Sequence, residues 1–368
     1  MIYFDAGATT LQKPPEVYRA SYEAMRRFAS PGRGGYDAAM QAAEAIFACR
    51  ETAASLFEAE AEQVVFTMNA THALNLAIKS LVSRGDSVVI SGFEHNAVTR
   101  PLYHIGCEVE TAGTRLFCPE DTLAAFEEKI TRSTKAVICT HVSNVFGYIL
   151  PVEQIAELCR RRGVPFVLDA SQSAGVLPIS LKKLGAAFIA MPGHKALYGP
   201  QGTGILLCGR MPKSLMEGGS GSLSELPDMP DFLPDGAEAG TQNVPGICAL
   251  AAGMRFVKSV GEDAVARHER NLRRKLEQEL SALPRVRLFS EDRAQLGTLS
   301  FLIEAEDCEL TAARLGRHGA AVRAGLHCAP LAHRTAGTIA TGTVRVSFSY
   351  FNTGEEIERF VSILKKEN

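Results

Sequence analysis

The chain has 368 residues, 46% of them hydrophobic and 22% charged, with a formal net charge of −2. That length exceeds what one hydrophobic core usually serves, so two domains are expected and no disulfide or metal staple is needed. The near-neutral charge gives no electrostatic case for nucleic acid or an anionic membrane surface, and no apolar run approaches bilayer-spanning length. The N-terminus, Met1-Ile-Tyr-Phe-Asp5, carries an acid at once, so no signal peptide is expected. Nine cysteines occur without a C-x-x-C pair, several inside apolar runs, and read as reduced thiols in a cytoplasmic protein.

From about residue 60 to 210, short β-branched runs alternate with helical patterns, which predicts a mostly parallel sheet covered by helices. Ligands of such sheets collect at the carboxyl ends of the strands. The first strand, Val64 to Thr67, runs through Asn69 and Ala70 into a helix from Thr71 to Leu81. That junction offers free backbone N–H groups and the Thr71 hydroxyl to an anion, or is an N-cap and nothing more. Strand Ser87 to Ser91 precedes His95, which reads as a ring over a cofactor, a proton shuttle or an inert loop histidine. Strand Lys135 to Thr140 precedes Asn144, and a helix from Val152 to Arg162 closes on three arginines that suit its dipole. Asn144, like Gln172 further on, reads as a cofactor or substrate ligand or as turn chemistry.

Strand Pro165 to Asp169 ends on a carboxylate, and strand Ala187 to Ala190 leads into Met191-Pro-Gly-His-Lys-Ala196. Alone, Lys195 reads as a solvated loop residue and Asp169 as a helix cap. Together they supply what pyridoxal phosphate needs: an amine that condenses with the aldehyde, and a buried carboxylate that keeps the pyridine nitrogen protonated. Gly202-Thr-Gly204 opens the strand to Cys208 and does not follow one, so it fails the context of a dinucleotide fingerprint.

Residues Glu217 to Gly240 lack periodicity and read as a long functional loop, or as a connection without function. Beyond lie a long helical region through about Leu283, strands at Val286 to Phe289 and Leu299 to Leu302, and a closing helix from Gly354 to Lys366, a smaller α+β domain. Within it, Val322-Arg-Ala-Gly-Leu-His-Cys-Ala-Pro330 places Cys328 beside His327 and near Arg323, a setting that favours thiolate. Arg345, on the strand in Gly342 to Ser349, offers a fork for a carboxylate. The alternative is a buried structural cysteine and a surface arginine. His327, Cys328 and His333 make only three ligands without a second pair, so no metal is expected.

These motifs resemble the class V aminotransferase superfamily, within it the cysteine desulfurase and selenocysteine lyase branch with a compact cysteine loop. The resemblance runs from Asp5-Ala-Gly-Ala-Thr-Thr10 through Asn69-Ala-Thr71, Glu94-His95, Ser143-Asn-Val-Phe-Gly147, Asp169-Ala-Ser-Gln172, Gly193-His-Lys195 and Glu238-Ala-Gly-Thr-Gln-Asn243. It ends on Arg323-Ala-Gly-Leu-His-Cys328 and the Arg345 strand. Ala6 and Pro192 depart from it, standing where the family usually has Asn and often Ser.

The resemblance implies a fold-type I pyridoxal phosphate enzyme. Its large domain, 13–250, would hold a sheet of the seven-stranded type, and its small domain, 1–12 with 251–368, the cysteine. It implies that Lys195 bonds the cofactor, Asp169 pairs with the ring nitrogen, His95 stacks on the ring, and Gln172 and Asn144 contact the cofactor or its substrate adduct. Ala70, Thr71 and His194 would hold the phosphate, and Thr241 would reach the phosphate of the partner in a homodimer. Arg345, with Arg323, would bind substrate, and Cys328 would accept sulfur from cysteine and pass it to an acceptor protein. Selenocysteine lyase, C–S β-lyase or aminotransferase activity, and a non-enzymatic sulfur-relay or scaffold role, are the alternatives.

Overall fold

Apolar runs of four to seven residues, too short for helices and rich in Val and Ile, build the central sheet. The computed structural model describes residues 1–32 and 34–365. The first part of the chain contains β1 (Ile2–Tyr3), α1 (Pro15–Arg27), α2 (Asp37–Phe57), β2 (Val64–Thr67), α3 (Ala70–Leu81), β3 (Ser87–Ser91), α4 (Asn96–Ile105) and β4 (Glu108–Ala112). Next come α5 (Pro119–Lys129), β5 (Thr134–Thr140), α6 (Val152–Arg162), β6 (Phe166–Asp169), α7 (Leu181–Leu184), β7 (Phe188–Pro192) and β8 (Gly204–Cys208). The remainder supplies α8 (Val244–Val260), α9 (Glu262–Ser281), β9 (Val286–Phe289), β10 (Thr298–Ile303), α10 (Cys308–Arg317), β11 (Ala320–Ala321) and β12 (Arg323–Gly325). It closes with α11 (Pro330–Thr335), β13 (Thr343–Ser347) and α12 (Gly354–Lys365), and Lys366, the expected end of that helix, lies outside the described residues.

The seven-stranded sheet has the order β2-β8-β7-β6-β5-β3-β4. From β7 to β4 every neighbouring pair is parallel, whereas β8 is antiparallel to both β7 and β2. Only β8 is therefore reversed, and the other six strands deliver their carboxyl ends to one rim. Helices cover both faces: α2 and α6 contribute Ala53, Phe57 and Ile155 to one core, while α3 and α4 contribute Leu74, Ile78 and Leu102 to the other. Near-complete burial of β5 and β6 explains their unbroken apolar pattern.

A four-stranded antiparallel sheet, β12-β13-β10-β9, carries α9 and α12 on a separate core that includes Leu276, Phe301, Val344 and Phe360. The chain start joins this region, with β1 parallel to β11 and Phe4 in the same core.

Two differences from the sequence reading concern an edge strand and a helix boundary. β4 was not expected, because this edge strand is largely exposed and carries Glu108 and Glu110 in place of an apolar run. The single long helical region is two helices, divided at Gly261, whose φ of 87° no helix accommodates. Among the described residues no helix is long and apolar enough to cross a membrane, and all nine cysteines are free.

Candidate active site

A cavity of about 440 Å³ opens at the rim where the parallel strands end. Five of the six strands hand it a segment: Ala70 and Thr71 after β2, His95 after β3, Asn144 after β5, Asp169 and Gln172 at β6, and His194 and Lys195 after β7. From the second sheet come Arg323, His327, Cys328 and Arg345. Of the residues that the resemblance assigns to the site, Thr241 alone lies elsewhere, exposed in a neighbouring hollow with His72 and Gln242.

The Lys195 loop is pinned at its base, where Gly193 N–H donates to Thr203 O at 2.8 Å and Gly199 N–H to Gly193 O at 2.7 Å. Glycine is required at 193, because a Cβ there would stand 2.2 Å from the Thr203 hydroxyl. Burial pushes the Lys195 ammonium down to about 8, against the opposing pull of Asp169. Asp169, 2% exposed, accepts from the Ser171 N–H at 2.9 Å and the Ser171 hydroxyl through Oδ1. No hydrogen bond from a described residue reaches its Oδ2. His95 caps α4, its Nδ1 accepting from Ala97 N–H at 3.0 Å, so the neutral ring carries its proton on Nε2. Burial lowers the His95 pKa and favours that neutral form.

At the other end α3 begins at Ala70, and its cap is Asn69, whose side chain accepts from His72 N–H at 2.9 Å. Thr71 is therefore not the cap, as the sequence reading had allowed; among the described residues its hydroxyl and the N–H groups of Ala70 and Thr71 have no partner. His194 is held by Thr9 at 3.0 Å, and burial, with Lys195 and Lys13 nearby, pushes it down to about 4. Gln172 donates to Gly7 O at 3.0 Å.

Asp5 was missed in the sequence as a site residue. Arg323 and Arg345 stand directly opposite on β12 and β13, a like-charge pairing that needs a counterion. Asp5 supplies it, accepting from Arg345 Nη2 at 2.7 Å and from Arg323 Nη2 at 2.9 Å. The three charges leave a net +1 at the cavity wall, which suits a substrate carboxylate. The signal was an acid immediately after a short apolar start, but its partners lie more than 300 residues away.

Cys328 is exposed at the cavity mouth. It and His327 hold left-handed backbone, φ 54° and 51°, strained for residues with side chains. The pair is clamped because Asn96 N–H donates to Cys328 O at 2.7 Å and Asn144 Nδ2 to His327 O at 2.8 Å. Asn144, read in the sequence as a cofactor or substrate ligand or as turn chemistry, thus grips the cysteine loop. Among the described residues no group of three or more His, Cys, Asp or Glu side chains is placed to hold a metal ion.

A half-buried lysine, a buried carboxylate with one oxygen uncommitted and a free helix start fit the three handles of pyridoxal phosphate: aldehyde, ring nitrogen and phosphate. Sheet and donor set together define an α/β enzyme of the fold-type I pyridoxal phosphate class. More narrowly, the chain belongs to the class-V aminotransferase family, whose profile, Aminotransferase class-V, matches residues 2–360. Members of that family depend on pyridoxal phosphate.

The chain is similar to a probable cysteine desulfurase of Xylella fastidiosa, 34% identical over all of this chain and 90% of the relative. It is also similar to one of Methanothermobacter thermautotrophicus, 32% identical over 97% of this chain and 92% of the relative. Among solved structures, the apo cysteine desulfurase of Thermococcus onnurineus superposes with a TM-score of 0.91 at 31% identity, covering 100% of this chain and 94% of that one.

Proposed function

We propose that this protein is a cysteine desulfurase that converts L-cysteine to L-alanine and keeps the sulfur on Cys328 as a persulfide. The observation that carries the reading is the meeting of Lys195 and Asp169 from one sheet with Cys328 and Arg345 from the other on a single cavity. Bound there, the cofactor supplies an aldehyde that captures the substrate amine and a protonated ring that takes up the electrons left at Cα.

The Asp169 carboxylate holds the ring proton, and Ala70, Thr71 and His194 bind the phosphate. Arg345, kept in place by Asp5 and the Asn144 carbonyl, orients the substrate carboxylate. Once displaced by substrate, Lys195 Nζ takes the Cα proton, a task suited to an amine whose pKa lies near neutrality. The Cys328 thiolate then attacks the substrate Sγ. The Cβ–Sγ bond breaks, its electron pair stays with carbon, and protonation gives alanine, so cysteine and the Cys328 thiol become alanine and a persulfide.

The exposed position of Cys328 suits delivery to an acceptor protein. Thr241, exposed and outside the cavity of its own chain, suits a role at the partner's phosphate in a homodimer. Nine free thiols favour the cytoplasm. The separate cores support a large domain, 13–250, and a small one built from 1–12 and 251–368. The names of the relatives favour cysteine over selenocysteine as substrate.

Replacing Cys328 with Ala tests the reading. Purified Cys328→Ala should keep the visible absorbance of bound cofactor yet lose at least about 95% of alanine release from cysteine. Undiminished release would turn the reading toward a β-eliminating lyase.

A further inference from the structure

Behind Cys328 lies a line of side chains that no step above uses. His327 and His333 are both buried, their rings parallel within 9° with centroids 5.6 Å apart. His327 Nδ1 is 3.4 Å from His333 Nε2, so the rings meet edge to edge, nitrogen to nitrogen. His327 Nε2 is 3.3 Å from Arg323 O, and His333 Nδ1 is 2.8 Å from Thr338 Oγ1.

The carbonyl at one end fixes every proton in this line. A carbonyl only accepts, so His327 Nε2 carries hydrogen and donates to Arg323 O. In the neutral ring that leaves Nδ1 bare, so His333 Nε2 must carry hydrogen and donate to it. His333 Nδ1 is then bare in turn and accepts the Thr338 hydroxyl. Thr338 is anchored to the end of α11, its N–H donating to His333 O at 2.8 Å and its carbonyl accepting from Gly342 N–H at 2.8 Å. Burial keeps both rings neutral, His333 at about 4 and His327 at about 2.

We propose that His333 is a positioning residue for Cys328: through its Nε2–H it fixes the His327 ring against the Arg323 carbonyl, and so holds the strained His327-Cys328 backbone in the geometry that sulfur attack needs. Asn96 and Asn144 hold the loop carbonyls from the cavity side, and the imidazole line holds its ring from the core side. Without the donor, His327 Nδ1 is a buried acceptor left bare, and the left-handed pair loses one of its two restraints. The cofactor groups, on the other sheet, are untouched.

The inference rests on Cys328 being the sulfur acceptor, and the test separates the two. His333→Phe preserves a flat apolar shape and removes the donor, whereas His333→Gln keeps an N–H near the Nε2 position. In a single turnover with cysteine, followed by mass spectrometry of the Cys328 peptide, His333→Phe should form persulfide at least about tenfold more slowly than wild type. His333→Gln should stay within about threefold of wild type, and both variants should keep the visible absorbance of bound cofactor. Equal rates for Phe and Gln would overturn the proposal alone, and wild type without persulfide at Cys328 would overturn the sulfur reading and the proposal with it. Should the Phe variant not fold, nitrogen-15 histidine spectra of the wild-type holoenzyme decide: both rings should be neutral with the proton on Nε2, and an Nδ1–H form of either overturns the proposal.

Discussion

Glu94 is fully enclosed one residue before the His95 ring. It accepts from the Ser91 hydroxyl at 2.5 Å and from Thr140 N–H at 2.7 Å, both on Oε1, while its buried Oε2 has no partner among the described residues. Burial, with Asp169 adding repulsion, pushes its carboxyl up to about 8, so at neutral pH it is largely protonated and adds no second negative charge beside Asp169. Because the folded pKa is raised, the folded state binds the extra proton. The associated stability is complete below about pH 4.5 and is lost as pH rises through 8. Glu94→Gln keeps the Oε1 acceptor and cannot ionise, so its stability relative to wild type should rise with pH between 5 and 8 by at most roughly 1.4 kcal/mol per unit. Urea unfolding at several pH values measures this, and parallel curves for the two proteins would contradict it. At the same scale, Lys195→Ala should abolish the visible absorbance that borohydride removes from wild type, and a variant that stays yellow would displace Lys195 from its role.

Among the elements, the pairing of β12 with β13 depends on Asp5. With Arg345 2% exposed and its Nε without a partner among the described residues, removing the carboxylate leaves a buried guanidinium short of its counterion. Asp5→Asn should therefore lose about 3 kcal/mol, read from urea midpoints, and an unchanged midpoint would show that the two arginines tolerate each other. This cluster also marks where the sequence stops being legible. The rim residues fall immediately after strands whose apolar runs are unmistakable, so chain order alone put Thr71, His95, Asn144, Asp169 and Lys195 on one rim, where they line one cavity, whereas their separate roles came from the resemblance. Asp5 meets its arginines only through tertiary folding, and nothing local distinguishes it from any acid after a short strand. Asn69 and Gly261 were readable but unread: asparagine before a helix is a preferred cap, and Gly261 followed by Glu262-Asp263 is a stop and a new acidic start. β4 was not readable by pattern, because an exposed edge strand need not alternate apolar residues.

Across the whole molecule, the outer face of α1 leaves Tyr18, Tyr22 and Met25 more than half exposed, and Tyr36, Met40 and Phe47 on and beside α2 are also exposed. Aromatic and Met side chains so placed favour association with a second copy, the assembly that the role proposed for Thr241 requires. Sedimentation at assay concentration should give a dimer, and Thr241→Ala should weaken cofactor binding about tenfold while leaving the dimer intact. A fully active monomer would contradict this assembly. The central claim, that sulfur passes from substrate to one cysteine of the nine, is met most directly by peptide mass spectrometry of the wild-type holoenzyme after brief exposure to L-cysteine. The account predicts one added sulfur on the peptide that carries Cys328 and none on the other eight cysteines. Sulfur on any of those, or alanine released with no sulfur on the protein, would contradict it.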